Sequence, residues 1–305
     1  MNTRARLLPG WPVETWLFLS GSVLALAVAP IASELASRTF WIGILATGVA
    51  FAGLPHGALD PWIAYRAGVW RHAPDFVVFN LAYLLLACAL ALLWWTFPAL
   101  ALALFLAYAT WHFSADWRDT LDVGWRLVAG IGLIALPAVF HEARVNEVFS
   151  VLAGSGGQSI TAAMAWAGPA VIGGYALATV AAIRRAPRVG LELATIALLA
   201  FALPPLAYFA VYFCLLHSSR HLRHHVTAGE AGERRLAAMI AIAYTIVTLL
   251  LAAILWYAIG ANAAIDEALL RVVFIGLAAL TVPHMALTLY LEHRGEGDFT
   301  ADTPP

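Results

Sequence analysis

An uncharged run from Phe76 to Ser114 reads FVVFNLAYLLLACALALLWWTFPALALALFLAYATWHFS. At a rise of about 1.5 Å per residue, this run is long enough for two helices that approach the thickness of a hydrocarbon core, about 30 Å. Pro98 divides it, because proline begins a helix readily but does not continue one. The run therefore predicts two membrane segments, 76–97 and 98–114, joined by a tight hairpin.

The same composition extends over the whole chain. Its 305 residues are 62% hydrophobic and 11% charged, whereas soluble domains are roughly 45–50% apolar and about 25% charged. We predict an all-α, polytopic integral membrane bundle of about 8–10 segments with no soluble domain, because helices satisfy their own backbone groups in lipid. The predicted segments are 15–33, 39–57, 76–97, 98–114, 126–141, 162–183, 191–203, 205–219, 236–259 and 271–291.

The N-terminal apolar run is predicted to be the first membrane anchor. Arg4 and Arg6 precede it, but no clear small-residue cleavage site follows it, which argues against a cleaved signal peptide. We therefore predict a single membrane domain over residues 1–305, with a short N-terminal tail (1–12) and a short C-terminal tail (294–305).

Two other breaks are visible inside the chain. Pro204-Pro205 separates 191–203 from 205–219, and each piece is too short for a full span. We expect two short tilted helices or a re-entrant pair there. The stretch Gly154 to Gln158, Gly-Ser-Gly-Gly-Gln, predicts a flexible loop.

Arginine is concentrated in one set of loops between the segments. Cytoplasmic loops of membrane proteins carry the excess of basic residues, so this set predicts a protein of the cell (inner or plasma) membrane with both termini in the cytoplasm. The loops in question contain Arg4 and Arg6, Arg66 and Arg71, Arg118, and Arg184, Arg185 and Arg188.

The absence of lysine excludes one class of membrane protein. Every Lys-or-Arg position in the chain is arginine, so a retinal-binding opsin, which needs a lysine for its Schiff base, is excluded. A net charge of −1 predicts no nucleic-acid partner. Cys88 and Cys214 lie inside apolar runs and are interpreted as small buried hydrophobic residues.

Histidines gather at one depth of the predicted bundle. His284 lies about two turns before the cytoplasmic end of the last segment. Ionisable groups inside a membrane are costly and usually functional, and neutral imidazole binds iron, zinc or copper. The pattern predicts a metal site at one membrane face, with His284 as a ligand, a partner of a ligand or a packed core residue. The histidines at the cytoplasmic ends of their segments are His56, His112, His217 and His221.

Aspartates and aromatic residues accompany these histidines. Asp60 and Asp116 each follow a histidine by four residues. Each carboxylate is predicted to accept the second ring N–H of a metal-bound imidazole, the alternative being that it only ends a helix at the interface. The aromatic residues that could line an apolar substrate tunnel, rather than belong to an interfacial belt, are Phe113, Tyr208, Tyr212 and Phe213.

These motifs resemble the Brp/Blh family of bacterial and archaeal β-carotene 15,15′-dioxygenases. The resemblance extends over about residues 40–293. Ser114 stands where the family pattern leads us to expect glycine. The motifs that carry the resemblance are Gly53-Leu54-Pro55-His56-Gly57-Ala58-Leu59-Asp60, His112-Phe113 with Asp116, His217-Ser218-Ser219-Arg220-His221 and Pro283-His284.

The resemblance implies a membrane-embedded non-haem Fe(II) dioxygenase. Such an enzyme splits the central 15,15′ double bond of β-carotene, or of a related carotenoid, with O2 to give two molecules of all-trans-retinal. Membrane lipid is then a further partner, and a retinal-accepting protein is a possible one. The residues that the resemblance assigns as iron ligands are His56, His112, His217 and His221.

Two other function classes are compatible with a histidine-rich membrane protein. A membrane di-iron carotenoid or lipid hydroxylase, or a desaturase, would fit the cluster formed by His217, His221, His224 and His225, but this class carries several such clusters. A metal-ion transporter would place ligands near the midplane along a path, whereas the acidic residues here lie at segment ends. A histidine-bearing assembly protein without catalysis is the remaining alternative.

Overall fold

A computed structural model describes residues 10–35, 37–227, 231–260 and 264–294. Within these ranges the chain forms helices and turns and no β-strand, which confirms the predicted all-α class. The helices are α1 Val13–Leu35, α2 Arg38–Gly48, α3 Leu54–Gly57, α4 Asp60–Arg66, α5 Ala73–Thr96, α6 Pro98–Ser114, α7 Val123–Phe140, α8 Glu142–Trp166, α9 Gly168–Arg185, α10 Pro187–Ala202, α11 Pro205–Val211, α12 Ser218–Thr227, α13 Ala231–Gly260 and α14 Ile265–His293.

Fewer helices are complete membrane spans than the predicted 8–10 segments. In the described part of the chain six are long and apolar enough, and the pair α8–α9, bent by 59° between Trp166 and Gly168, makes a seventh if it is one span. Three predicted segments account for the difference. Helices α10 and α11 are short and Pro204-Pro205 separates them, as the sequence indicated, and the apolar part of α1, Val13–Ala29, is also shorter than a full span. The six spans are Thr39–Arg66, Ala73–Thr96, Pro98–Trp117, Val123–Phe140, Gly232–Tyr257 and Ile265–Leu291.

The predicted loop from Gly154 to Gln158 is wrong, because these residues lie inside α8. The backbone departs from helical geometry only at Ala153 and Gly154, where Gly154 has φ +58°. Glycine adopts this left-handed conformation without the steric cost of a Cβ. The glycine-rich stretch therefore produces a kink within a helix and not a loop.

Helix α7 lies at the centre of the packing. A Cβ added at Gly130 would come within 2.6 Å of the carbonyl oxygen of Thr110 on α6, and one added at Gly132 within 2.0 Å of the Tyr175 ring on α9. Small residues let helix backbones approach closely in membranes, where dispersion contacts drive association. This close packing fixes α6, which carries His112, against the core.

Helices α5 and α13 lie at the periphery. None of the most apolar window of Ala73–Thr96 is buried, and only 6% of that of Gly232–Tyr257 is. Apolar side chains that point outward from such helices are expected where lipid is the solvent. Between these two helices and the core lies the cleft described below.

Candidate metal centre

Five histidine rings converge at one point of the bundle. In each of two overlapping groups, one nitrogen per ring lies within 4.8 Å of the others: His56, His112 and His284 form one group, and His112, His217 and His221 form the second. His112 belongs to both. The centroids of neighbouring rings are separated by 4.7–5.8 Å. The histidines predicted to share a depth are therefore brought together, with His284 among them.

Two π-helical turns place His56 and His217. One turn, Val49–Gly53, precedes α3, and the other, Tyr212–His217, ends at His217 itself. A π-helical turn accommodates one extra residue and is found frequently at functional sites. His221 then follows on α12, one helical turn after His217 and on the same face. These local distortions are not evident from the sequence.

Each of two aspartates holds one histidine through its Nδ1 atom. Asp60 Oδ1 lies 2.7 Å from Nδ1 of His284, and Asp116 Oδ1 lies 3.1 Å from Nδ1 of His217. The carboxylates thus contact imidazoles, as expected, but not those four residues earlier. The reason is local: the helix is interrupted at Ala58 and Leu59, and Asp116 lies in a 3₁₀ turn, so neither pair shares a continuous α-helical face.

Two tyrosines complete these chains of hydrogen bonds. The Tyr83 hydroxyl donates to Asp60 Oδ2 at 2.9 Å, and the Tyr212 hydroxyl donates to Asp116 Oδ2 at 2.7 Å. Each carboxylate is therefore fixed between a phenol and an imidazole. Because an acceptor at Nδ1 favours the tautomer with a proton there, the Nε2 lone pair of the same ring is directed into the cluster.

Ring nitrogens of four cluster histidines have unusual surroundings. His284 Nε2 is buried and has no hydrogen-bond partner among the described residues. His112 Nε2 and His217 Nε2 lie 3.1 Å apart, and the Nδ1 atom of His56 contacts the Gly53 carbonyl oxygen. Imidazole nitrogens that face one another, one of them without a hydrogen-bond partner among the described residues, match the donor set that a transition-metal ion requires. The donor set therefore fits a metal such as iron.

A buried ion-pair network supports the centre from the side of α1 and α10. Glu192 is fully buried. Arg220 lies between His217 and His221 in the sequence and donates both to Glu192 and, through Nη1, to the backbone oxygen of Asp116 at 2.8 Å. A buried carboxylate is retained only when several donors pair with it. The donors to Glu192 are Thr15 Oγ1 (2.6 Å), Arg220 Nη2 (2.9 Å), Arg188 Nη1 (3.0 Å) and Trp117 Nε1 (3.1 Å).

The sequence interpretation missed Glu192 and Arg220. The signal that could have found Glu192 is a lone carboxylate at the beginning of an apolar predicted segment, 191–203, since carboxylates at membrane depth are rare and usually functional or paired. Arg220 stood in the quoted histidine motif without an assigned role. Its role follows from the tertiary structure, because it joins Glu192 to the Asp116 backbone.

Three further histidines with described side chains are not part of the cluster. His72 and His293 are exposed at helix ends, and His141 lies at the junction of α7 and α8. The side chains of His224 and His225 lie outside the described residues. Among the described side chains, one histidine cluster is therefore present.

An apolar cleft ends at the histidines. Its volume is about 860 Å³, with the open space at its mouth included, and it lies between α5, α6, α13 and α14, with His56, His112 and His284 among its lining residues. A second cleft of about 670 Å³ lies beyond it, between α6, α7, α8 and α11. We call these the metal-side cleft and the distal cleft. Both are lined by the same four residues at their junction: Phe105, Ala109, Phe113 and Phe209.

The four aromatic residues expected to line a tunnel have different positions. Phe113 lines both clefts, Phe213 lines the metal-side cleft, and Tyr208 lines the distal cleft. Tyr212 lines neither, because its fully buried side chain turns to Asp116. Tyr212 is therefore not part of either cleft wall, in contrast to the expectation, because its hydroxyl is hydrogen-bonded to the Asp116 carboxylate.

Fold and site together define a class: a polytopic helical membrane protein with a histidine-lined metal centre at the end of an apolar cleft. A sequence model of the family described as Beta-carotene 15,15'-dioxygenase matches residues 47–292, and the chain belongs to this family. The resemblance inferred from the motifs is thereby confirmed.

Two relatives illustrate the similarity. The "Beta-carotene 15,15'-dioxygenase" of uncultured marine bacterium 66A03 is 32% identical over 254 residues, which are 78% of this chain and 90% of that protein. The "Probable beta-carotene 15,15'-dioxygenase Blh" of Halobacterium salinarum is 24% identical over an alignment of 336 positions, which covers 96% of this chain and 95% of that protein. No solved structure matches the chain significantly.

Proposed function

We propose that this protein is a membrane-embedded non-haem iron dioxygenase that cleaves the central 15,15′ double bond of β-carotene, or of a closely related carotenoid, with O2. One carbon–carbon double bond and one O2 are converted into two aldehydes, so the products are two molecules of all-trans-retinal. The observation that carries the proposal is the five-histidine cluster at the inner end of an apolar cleft. Family membership supports the same chemistry.

All five histidines of the cluster are metal ligands in this proposal. His56, His112, His217 and His221 are the ligands, and His284 is a fifth, since its Nδ1 is held by Asp60 and its Nε2 has no other partner among the described residues. Bound Fe(II) supplies the redox chemistry that makes dioxygen reactive toward an alkene.

The rest of the site binds and orients the substrate. The cleft walls around Phe113 and Phe213 are apolar, so a polyene can leave the lipid phase without passing through water. Exclusion of water also protects a reactive centre from side reactions. Asp60 and Asp116 keep two imidazoles in the tautomer that faces the metal. A charged acid, base or nucleophile from the protein is not required in this scheme.

The alternatives fit less well. A di-iron hydroxylase or desaturase requires ligands for two ions, whereas the two histidine groups overlap at His112, so the five histidines form a set suited to one ion. A metal-ion transporter requires a polar path across the membrane, and the cleft that reaches the histidines here is mainly apolar.

The cellular setting is part of the proposal. The arginine-rich loops support a protein of the cell membrane whose termini are cytoplasmic. O2 and membrane lipid are then its partners besides the carotenoid, and retinal leaves through the bilayer or to an accepting protein.

The proposal is tested with purified, iron-loaded protein, β-carotene and ¹⁸O₂. We expect loss of carotene with two equivalents of retinal, each carrying one ¹⁸O when it is reduced immediately to the alcohol, which retains the oxygen, and analysed by mass spectrometry. In a β-carotene-producing host, expression should convert carotene to retinal, whereas His56→Ala at equal expression should not. Hydroxylated carotene, or unchanged carotene in an iron-loaded protein, would contradict the proposal.

Removal of the charge at Asp116 tests how the centre is held. Asp116→Asn keeps the size of the side chain but weakens the hydrogen bonds to His217 and Tyr212. Loss of such supporting partners reduces metal affinity by about 10- to 100-fold, so we expect a reduction of this size in iron titrations. Asp119→Asn, at an exposed position in the same turn region, is the matched control. Equal iron affinity of the two variants would contradict the assigned role.

A further inference from the structure

The two clefts differ in the chemistry of their walls. Apart from Tyr208, the distal cleft is lined by apolar side chains, and the Tyr208 hydroxyl is already engaged as a donor to the Leu133 carbonyl oxygen at 2.8 Å. The metal-side cleft carries, besides its histidines, a group of uncharged polar side chains. A long substrate that lies across both clefts, with its central bond at the histidines, therefore meets different surroundings at its two ends.

Three of these polar side chains lie on the peripheral helices. Tyr244 and Thr248 are one turn apart on α13 and both line the cleft, and Asn80 lines it from α5. The Tyr244 hydroxyl donates to Asn80 Oδ1 at 2.7 Å, and Asn80 Nδ2 donates to the Phe76 carbonyl oxygen at 2.8 Å. One Asn80 amide hydrogen and the lone pairs of the Tyr244 and Thr248 oxygens are left for a guest molecule.

This arrangement matches a hydroxyl group better than a hydrocarbon. A hydroxyl both donates and accepts, and the three side chains offer both roles within one wall of the cleft. They are uncharged, so a carboxylate or a cation finds no counter-charge there. In contrast, Tyr208 is the one polar side chain among the described residues that line the distal cleft, and its proton is already donated, so it can accept from a guest hydroxyl but cannot donate to one. A hydroxyl placed there would lose its water and find no side-chain donor, which is unfavourable.

We propose that Asn80, Tyr244 and Thr248 form a binding site for a hydroxyl on one terminal ring of the substrate. This inference rests on the proposed function and makes it more specific. The enzyme then accepts a carotenoid hydroxylated on one ring, with that ring in the metal-side cleft, and discriminates against one hydroxylated on both. A buried hydroxyl that finds no donor weakens binding by roughly 10-fold, which sets the expected discrimination.

A purely structural role for the Asn80–Tyr244 hydrogen bond makes a different prediction. A tie between α5 and α13 would affect every carotenoid equally when it is removed. A hydroxyl site affects the hydroxylated ligand selectively. The ratio of affinities for two carotenoids therefore separates the two roles, and this ratio does not depend on turnover.

The experiment measures the dissociation constants of iron-loaded protein under anaerobic conditions, where cleavage cannot proceed. The probes are β-carotene, 3-hydroxy-β-carotene and 3,3′-dihydroxy-β-carotene, followed by quenching of tryptophan fluorescence. The variant is Asn80→Leu combined with Tyr244→Phe. The matched control is Tyr257→Phe, since Tyr257 lies on the same helix and is 85% exposed on its outer side.

We expect the wild type to bind the dihydroxy compound at least about 10-fold more weakly than the monohydroxy compound. The double variant should lose about 10-fold in its preference for the monohydroxy compound relative to β-carotene, and Tyr257→Phe should not change this preference. An unchanged ratio in the double variant, or equal binding of the mono- and dihydroxy compounds by the wild type, would overturn the inference. The proposed function is tested separately by admitting air to the β-carotene complex. If no retinal forms, the proposed function fails, whatever the ratio of affinities.

Discussion

Replacement of His112 by alanine is expected to abolish both iron binding and carotenoid cleavage. His112 is the one histidine that belongs to both groups of the cluster, and its Nε2 lies 3.1 Å from that of His217. Because loss of a supporting partner alone costs about 10- to 100-fold in metal affinity, loss of the shared ligand should exceed about 100-fold. Iron content after purification and retinal formation per protein give the two measurements.

A histidine outside the cluster serves as the control for this variant. His293→Ala removes an exposed imidazole at the end of α14 and should retain iron and activity. Size-exclusion profiles in detergent establish that His112→Ala is folded, and His112→Gln repeats the test with a side chain closer in volume. A folded His112 variant that binds iron as the wild type does would remove His112 from the ligand set.

Obstruction of the region between the two clefts is expected to reduce carotenoid cleavage strongly. Ala109 lines both clefts at their junction, so Ala109→Phe places a phenyl ring where half of a long substrate must pass. Misplacement of the target bond by even about 1 Å can cost 10²-fold in rate, so we expect β-carotene cleavage to fall by about 100-fold or more. Iron content should remain near that of the wild type, which separates this effect from damage to the metal centre.

The control for the obstructing variant lies two residues earlier on the same helix. Ala107 is exposed on α6, so Ala107→Phe adds the same ring to the outer surface and should leave cleavage unaffected. Overpacking at Ala109 can also destabilise the helix bundle, and thermal unfolding of both variants in detergent measures that contribution. Normal cleavage of β-carotene by a folded Ala109→Phe protein would show that the substrate does not cross this junction.

The motifs are sufficient to identify the family. The sequence also predicts which histidines lie at the same depth in the membrane. Membrane segments impose a depth on every residue they carry, so His56, His112, His217 and His221 can be placed at one level from hydropathy and segment length. The depth does not define which rings touch. Depth alone also does not decide whether His284 is a ligand, a partner of a ligand or a packed core residue. The structure places its ring in the cluster, which argues against a packed core residue.

Assignments that depend on local spacing are less successful. The spacing places Asp60 beside His56, whereas Asp60 contacts His284, 224 residues away in sequence. Tyr212 is expected in a tunnel wall and instead donates to Asp116, 96 residues away. Both cases arise because a buried carboxylate takes the donors that packing brings to it, and sequence neighbours have no advantage once the helix between them is interrupted.

The sequence by itself determined the all-α membrane class, the family and the set of histidines from which a metal centre could be built. These properties follow from hydrophobicity, helix length and short motifs, which are local. Only the tertiary structure decided which aspartate holds which imidazole, that Glu192 and Arg220 support the centre, and that two clefts of unlike chemistry meet at Ala109. Those features join residues from distant helices, and their geometry depends on kinks, π-helical turns and close helix packing that periodicity does not encode.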